Sequence, residues 1–170
     1  MVKFIHNPKD TQWAKEEIDL PLSGYRVDYA WVTDMNFNEV YSTSPAQNKP
    51  VKQLIIAREI LLKELYRNYF RHFFIAENDK IIEVFAAPIQ PTSDKGRKTK
   101  PQGFMLLGTE LNTAYFQNLQ EIDGEVNIKL TDLKNKAKEN ISSSEGTVVF
   151  TIPLHDINNN TIAYLEVQKN

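Results

Sequence analysis

The hydrophobic pattern is densest from Phe70 to Leu111, where three apolar segments follow one another. The first covers about residues 70–76 and the third covers Phe104–Leu111. The second, Ile81–Gln90, carries apolar side chains on both faces of an extended chain. A strand that is apolar on both faces is covered on both, so the pattern predicts Ile81–Gln90 inside an antiparallel sheet. Three strands are not stable alone, and the other elements are expected to cover them.

The segments on either side alternate between helical and strand periods. Asn7 and Pro8 are typical of a helix start, and Pro21 is expected to end that helix. Side chains alternate over Tyr25–Thr33, which predicts a strand with an aromatic face. The further predicted elements are a returning strand at Glu39–Ser42, a helix over Val51–Tyr69, a helix over Thr113–Glu121, a strand over Val126–Leu130, a mobile connection over Lys134–Ser144 and a hairpin of Thr147–Leu154 with Thr161–Val167.

This order of elements predicts the fold class. Two strands, a helix and three antiparallel strands follow one another as they do in a PAS-like sheet. We therefore predict an α+β protein with a PAS-like antiparallel sheet flanked by helices and an extra C-terminal hairpin. No repeat and no change of composition divides the chain, so residues 1–170 are expected to form one domain.

Composition and charge exclude several classes of function. The chain has a formal net charge of −2 and a pI near 5.9, so it lacks the basic excess that would hold nucleic acid. It contains no cysteine, which removes disulfides, thiolate metal sites and cysteine nucleophiles. No run of eighteen apolar residues occurs, so no membrane-spanning segment is expected within it.

Catalytic and metal-binding patterns are not recognisable either. His6, His72 and His155 are far apart, and none has a second ligand at helical or strand spacing. The sequence has no nucleophile elbow, phosphate-binding loop or zinc-protease motif. We therefore expect no catalytic residues, no metal and no cofactor.

The basic segment Lys95–Lys100 allows two interpretations. Its lysines and arginine could contact anionic headgroups beside a membrane. An exposed loop between two strands explains the same residues more simply, and we favour that interpretation.

Aromatic residues give the strongest indication of a binding site. Aromatic side chains with nearby arginines could line a concave site for a small organic ligand, with an arginine binding its carboxylate. The alternative is ordinary core packing, with the arginines reaching solvent. The candidate ligand-binding residues are Tyr29, Trp31, Tyr66, Arg71, Phe73 and Phe85.

Several short motifs resemble a known family. The segment FIHNPKDTQWAKEEIDLPLSGYRVDYAWVTDMNFNEVYS resembles the opening of the fourth class of CHASE domains, which are extracytoplasmic sensors of bacterial and archaeal receptors. FFIAENDKIIEVFAAPIQPTSD and QGFMLLGTELNTAYFQNL are similar to the family's central part, and HDINNNTIAYLEV is similar to its closing hairpin. The matching positions are Asn7-Pro8, Trp13-Ala14, Glu17-Ile18-Asp19, Tyr29–Val32 and Val40-Tyr41-Ser42.

The resemblance implies a sensor domain on the outer side of the cytoplasmic membrane. It implies a parent receptor anchored by transmembrane helices on either side, with a histidine kinase, a cyclic-dinucleotide enzyme or a chemoreceptor as its output. The family's Trp-Asp-Asp motif would precede Met1, so the chain is expected to begin within the domain. Such a domain would bind a small molecule, catalyse no reaction and act as a homodimer in the full-length receptor.

Two other functions remain open from the sequence. A cytosolic PAS-like or GAF-like module would hold a partner domain or a cofactor. An enzyme built on a cystatin-like sheet is less favoured, because no catalytic constellation is recognisable.

Overall fold

The computed structural model describes residues 1–44, 53–122, 126–132, 142–144 and 147–169. The helices are α1 (Val2–His6), α2 (Thr11–Ala14), a π-helical turn (Lys15–Asp19), α3 (Leu20–Ser23), α4 (Arg58–Arg67) and α5 (Thr113–Ile122). The strands are β1 (Tyr29–Asp34), β2 (Glu39–Thr43), β3 (Arg71–Glu77), β4 (Lys80–Ile89), β5 (Gly103–Glu110), β6 (Val126–Asp132), β7 (Ser142–Ser144), β8 (Thr147–His155) and β9 (Thr161–Lys169). Within these residues, no helix combines the length and apolar content needed to cross a membrane.

The strands form two sheets, which confirms the predicted α+β class and the PAS-like sheet. The first sheet has the order β2-β1-β5-β4-β3, so the predicted neighbours β4 and β5 do lie side by side. The second has the order β6-β9-β8-β7 and contains the expected C-terminal hairpin of β8 and β9. The hairpin is therefore the centre of a larger sheet, because β6 and β7 pair with its two outer edges.

The described contacts divide the chain into two compact units. The first unit comprises Met1–His72 and Val84–Thr109, and the second comprises Phe73–Glu83 and Glu110–Asn170.

One face of β1 and β5 in the first unit packs against the N-terminal helices. Ala30 and Val32 of β1 are fully buried there, beside Ile89 of β4. The helices contribute the apolar side chains Phe4, Ile5, Ala14, Ile18 and Leu22 to the same cluster. We call this group the N-terminal cluster.

The opposite face of the same strands packs against aromatic residues. Phe104 lies across from Thr33 in the register of β5 with β1 and has no exposed surface. Its ring stacks on Phe37 at 4.8 Å and meets Tyr66 and Tyr69 edge-on at 5.7 and 6.2 Å. Leu61 and Leu65 of α4 are also buried. They are four residues apart and lie on the same side of the helix, so the apolar face of α4 packs against the core.

The turn between β1 and β2 is tied to α4. Asp34 accepts hydrogen bonds from the backbone N–H groups of Asn36 and Asn38 at 2.8 and 2.9 Å, which closes the turn. Arg58 donates from Nε to the Asn36 carbonyl at 2.6 Å, and the Tyr66 hydroxyl donates to the Met35 carbonyl at 2.7 Å. The turn and the helix therefore hold each other in place.

The second unit is built on the four-stranded sheet. Register places Val126, Ile128 and Leu130 of β6 on one face with Leu165 and Val167 of β9. Leu130, Leu165, Ala163 and Leu154 of the sheet pack in one cluster with Ile81, Leu111, Tyr115 and Phe116. Asn112 caps α5 by accepting a hydrogen bond from the Tyr115 N–H at 2.9 Å.

The N-terminal helix differs from the prediction. Asn7 ends α1 instead of starting a helix, and Asp10 is the N-cap of α2, accepting from the Trp13 N–H at 3.0 Å. Pro21 does not end the helical segment, because it lies in the first turn of α3. In the first turn of a helix the backbone N–H has no partner within that helix, so proline, which lacks this N–H, is tolerated there.

Two other predicted boundaries also move. The first strand begins at Tyr29 instead of Tyr25, because the Tyr25 N–H is taken by the Leu22 carbonyl at the end of α3. The helix predicted over Val51–Tyr69 begins at Arg58, and Ile55 is 56% exposed. Residues 51–52 and residues 134–141 of the predicted mobile connection lie outside the described residues, and the last three residues of that connection form β7.

Gly103 is required by the close pairing of β5 with β1. A Cβ at this position would lie 2.1 Å from the Thr33 carbonyl oxygen and 2.9 Å from Cδ1 of Ile5. We expect Gly103→Ala to lower the free energy of unfolding by about 2–3 kcal/mol, because a backbone atom has to move. Urea denaturation measures this change. Gly96→Ala is the matched control, since its Cβ would meet only the Lys98 side chain at 3.5 Å, and an equal loss in both variants would contradict the argument.

Tyr41 links β2 to the π-helical turn and should make stability depend on alkaline pH. Its hydroxyl donates to Asp19 at 2.9 Å, and burial, with the Asp19 carboxylate, raises the pKa of Tyr41 from 10.0 to about 12. A raised folded-state pKa means that this stabilisation is complete below pH 10.0 and is lost as pH approaches about 12.

We expect Tyr41→Phe to cost about 1 kcal/mol at neutral pH, because the pair is partly exposed to solvent. Urea unfolding of the wild type and the variant should give free energies that converge as the pH rises above 10.0. A difference that stays constant up to that pH range and beyond would show that the hydrogen bond does not stabilise the fold.

Candidate functional site

Two of the predicted site residues, Tyr29 and Trp31, lie together on β1. Their rings stack at 5.6 Å with an angle of 24° between planes, and they are 7% and 3% exposed. Register places them on the face that Phe104 occupies, opposite the N-terminal cluster. Both rings are therefore packed into the core.

Tyr66 lies at the end of α4 and is partly accessible. It is 37% exposed, and its ring contacts Phe37 at 6.1 Å. Burial raises the pKa of its hydroxyl, which donates to the Met35 carbonyl. This hydroxyl is thus already engaged by the β1–β2 turn.

Arg71 begins β3 and forms an ion pair with α4. Its Nη2 lies 3.7 Å from Oε2 of Glu64, whose side chain is 8% exposed. The guanidinium therefore compensates a buried carboxylate, and the predicted role as an anion clamp competes with this pair. Phe73, two residues further along β3, is 2% exposed and belongs to the second unit.

Phe85 lies on the other face of the first sheet and is 52% exposed, although the pattern predicted β4 to be covered on both sides. It is four residues before Ile89, which belongs to the N-terminal cluster, so both point to the same side. The N-terminal helices cover Ile89 and leave Phe85 open. The His72 ring stacks on Phe85 at 4.4 Å with an angle of 15°.

An open cavity of about 360 Å³ lies at this position in the first unit. We call it the Phe85 cavity, and it is lined by Phe70, Arg71, His72, Phe85, Ala86, Ala87, Met105 and Leu107. Two of the six predicted residues, Arg71 and Phe85, thus line one cavity, whereas Tyr29 and Trp31 point to the opposite face. Cavities of this volume accept small organic ligands.

Arg97 contacts Phe70, one of the residues that line the cavity, although it does not line the cavity itself. Its guanidinium carbon lies 5.8 Å from the centre of the Phe70 ring, within the range of a cation–π contact. The loop that carries it is exposed, as predicted for Lys95–Lys100. Asp94 fixes the loop by accepting from the Thr99 N–H and hydroxyl at 2.7 and 2.6 Å, and these hydrogen bonds lower the pKa of Asp94.

Sequence reasoning missed Phe70 and His72 as cavity residues, and it missed Arg97 as a partner of Phe70. Phe70 immediately precedes β3 and His72 is its second residue, and alternation could have placed His72 on the face opposite Arg71. The contact of Arg97 with Phe70 had no sequence signal, because it joins residues 27 positions apart through a loop.

Metal binding has no support among the described residues, where no three histidine or acidic side chains lie close enough to hold an ion.

Comparison with known proteins identifies the family. The model of the CHASE4 domain matches residues 1–129, which is most of the chain. The search of curated protein sequences found no match.

Solved structures that resemble this chain include periplasmic, sensor and ligand-binding domains. The periplasmic domain of Vibrio cholerae LuxQ aligns with a TM-score of 0.55 and 12% identity, covering 99% of this chain and 85% of that chain. The sensor domain of the V. cholerae histidine kinase DctB aligns with a TM-score of 0.49 and 10% identity, covering 99% of this chain and 81% of that chain. The ligand-binding domain of the Pseudomonas aeruginosa PAO1 amino acid chemoreceptor PctC, in complex with GABA, aligns with a TM-score of 0.47 and 12% identity, covering 96% of this chain and 82% of that chain.

These findings confirm the resemblance, the PAS-like fold and the extracytoplasmic location that the sequence motifs implied. CHASE4 domains are sensing domains and not catalytic domains. The chain belongs to the CHASE4 family and is an extracytoplasmic sensing domain of a membrane-bound signal-transduction receptor.

Proposed function

We propose that this domain senses a small organic molecule bound in the Phe85 cavity. The observation that carries the proposal is the pair of exposed rings, Phe70 at 54% and Phe85 at 52%, that line an apolar cavity of about 360 Å³. Exposed aromatic rings are costly in water, and a ligand that covers them recovers that free energy. His72, stacked on Phe85, places a polar ring edge at the same site.

The cavity is also placed to influence the N-terminal helices. Met105 and Leu107 line it, and the same two side chains pack against the N-terminal cluster. A ligand that binds one arrangement of these side chains more tightly would shift the packing of the helices. The proposed signal thus passes through direct side-chain contacts within the first unit.

The other predicted site residues have different roles in this proposal. Tyr29 and Trp31 stabilise the opposite face of the sheet, and Phe73 stabilises the second unit. Tyr66 holds the β1–β2 turn. Ligand contact by these four residues stays a prediction, and Trp31→Phe tests it, because removal of the indole alters that face without leaving a large cavity.

A thermal-shift screen against amino acids, organic acids, sugars and amines should reveal ligands, since binding to the folded state raises its melting temperature. For any ligand found, we expect Phe85→Ser to weaken affinity by about tenfold or more, because an aromatic contact is lost. Isothermal titration calorimetry measures this effect.

The matched control is Ile152→Ser, which removes an apolar side chain of similar exposure, 42%, in the second unit. Its affinity should equal that of the wild type. If Phe85→Ser binds normally and Trp31→Phe does not, the ligand occupies the opposite face of the sheet and the proposed site is wrong.

The organisation of the whole receptor is part of the same proposal. We propose that residues 1–170 act as one sensor domain, that transmembrane helices flank it, and that the receptor is a homodimer with a histidine kinase, a cyclic-dinucleotide enzyme or a chemoreceptor as output. The domain itself is proposed to catalyse no reaction.

Light scattering of the detergent-solubilised receptor should give twice the chain mass, and hydrolase and transferase assays of the domain should give background rates. A monomeric receptor, or turnover abolished by one substitution, would contradict the respective statement.

A further inference from the structure

We propose that the ligand of the Phe85 cavity is a small aromatic carboxylate and that Arg97 binds its charged group. This inference rests on the proposed function, because it names the ligand class of the same cavity. It follows from the shape of the ring walls and from the way in which the 92–101 loop presents one guanidinium.

The cavity walls favour a planar ring over a branched aliphatic group. His72 and Phe85 already stack in nearly parallel planes at 4.4 Å, and Phe70 supplies a second exposed ring. Aromatic groups associate by offset stacking or by edge-to-face contact, both of which these rings offer. Ala87 adds a short side chain, which leaves room for a ring beside Phe85.

The backbone holds Arg97 in an uncommon conformation. Its φ is 49°, a left-handed value that residues other than glycine and asparagine seldom adopt. The φ of the neighbouring Gly96 lies outside this region. The Arg97 N–H donates to the Asp94 carbonyl at 3.1 Å, and the Arg97 carbonyl accepts from Nε2 of Gln90 at 3.2 Å. Strained backbone that is fixed on both sides is typical of positions that serve binding.

The guanidinium of Arg97 is oriented by Phe70 and has no ion pair among the described residues. A cation above a ring keeps its N–H groups at the periphery, where they can donate to an anion. Asp94, the acidic residue of the same loop, is engaged by Thr99 through its hydroxyl and N–H. The loop therefore presents net positive charge beside the cavity, to which exposed Lys95, Lys98 and Lys100 add.

Arg71 is less suited to this role, although the sequence favoured it. Its Nη2 lies 3.7 Å from Oε2 of Glu64, a buried carboxylate whose other partner is Lys63 at 3.4 Å, so a ligand that captured Arg71 would remove one of two ion pairs from a buried charge. Arg97 carries no such cost, so the exposed arginine is the better anion partner.

Calorimetry with phenylacetate and two analogues tests the ligand class. Phenylacetamide keeps the ring and removes the charge, and cyclohexylacetate keeps the charge and removes the planar ring. We expect phenylacetate to bind and each analogue to bind about tenfold more weakly or worse. Affinity for phenylacetate should also fall with added salt, because the contact is exposed.

Two variants assign the charge partner. Arg97→Gln should weaken the affinity for phenylacetate by about tenfold or more, as expected for loss of a charge-assisted hydrogen bond. The affinity of the same variant for phenylacetamide should equal that of the wild type. Lys98→Gln, from the same loop, is the matched control and should bind phenylacetate nearly as the wild type does. Circular dichroism checks that both variants are folded.

The possible results separate this inference from the proposed function. No binding of phenylacetate at about 10 mM, or equal binding of all three compounds, overturns the inference. So does equal weakening by Arg97→Gln and Lys98→Gln, which would mean general charge attraction. If another class of compound binds and Phe85→Ser abolishes that binding, the sensing site stands and only the aromatic carboxylate is wrong.

Discussion

The antiparallel pairing of β1 with β5 is the contact on which the first unit depends. The two strands approach so closely at Gly103 that the Thr33 carbonyl occupies the space that a Cβ would need. This pairing fixes which side chains face each way, since Trp31 lies opposite Leu106 and Val32 lies opposite Met105. A one-residue shift would exchange the two faces of β1 relative to their helices.

The two faces of this strand pair are covered to different extents. The face of Phe104 is covered by aromatic rings from α4 and from the β1–β2 turn. Arg58 and Tyr66 hold this turn in place by donating hydrogen bonds to its backbone carbonyls. The face of Val32 is covered by short helices that extend over Ile89 but leave Phe85 exposed. A filled face supports the fold, and a partly filled face is available for binding. One side of the same strands therefore stabilises the fold, and the other side carries the proposed binding cavity.

The candidate site shows how far sequence reasoning reaches. Alternation correctly separates residues of one strand, such as Arg71 from His72, but it does not reveal which face a helix leaves uncovered. The aromatic set chosen from the sequence thus combined core rings, Tyr29 and Trp31, with the exposed ring of Phe85. Arg97 was unnoticed because its neighbour in space, Phe70, lies on another element.

The sequence by itself determined the elements with strong periodicity and clear caps. The strands of the central sheet and the hairpin of β8 and β9 follow from local preferences and were predicted near their true positions. Tertiary structure decided the rest. It ended α1 at Asn7, carried the helical segment past Pro21, and left Phe85 open to solvent. These features depend on which surfaces pack together, because the free energy of burial exceeds the small intrinsic preferences of single residues.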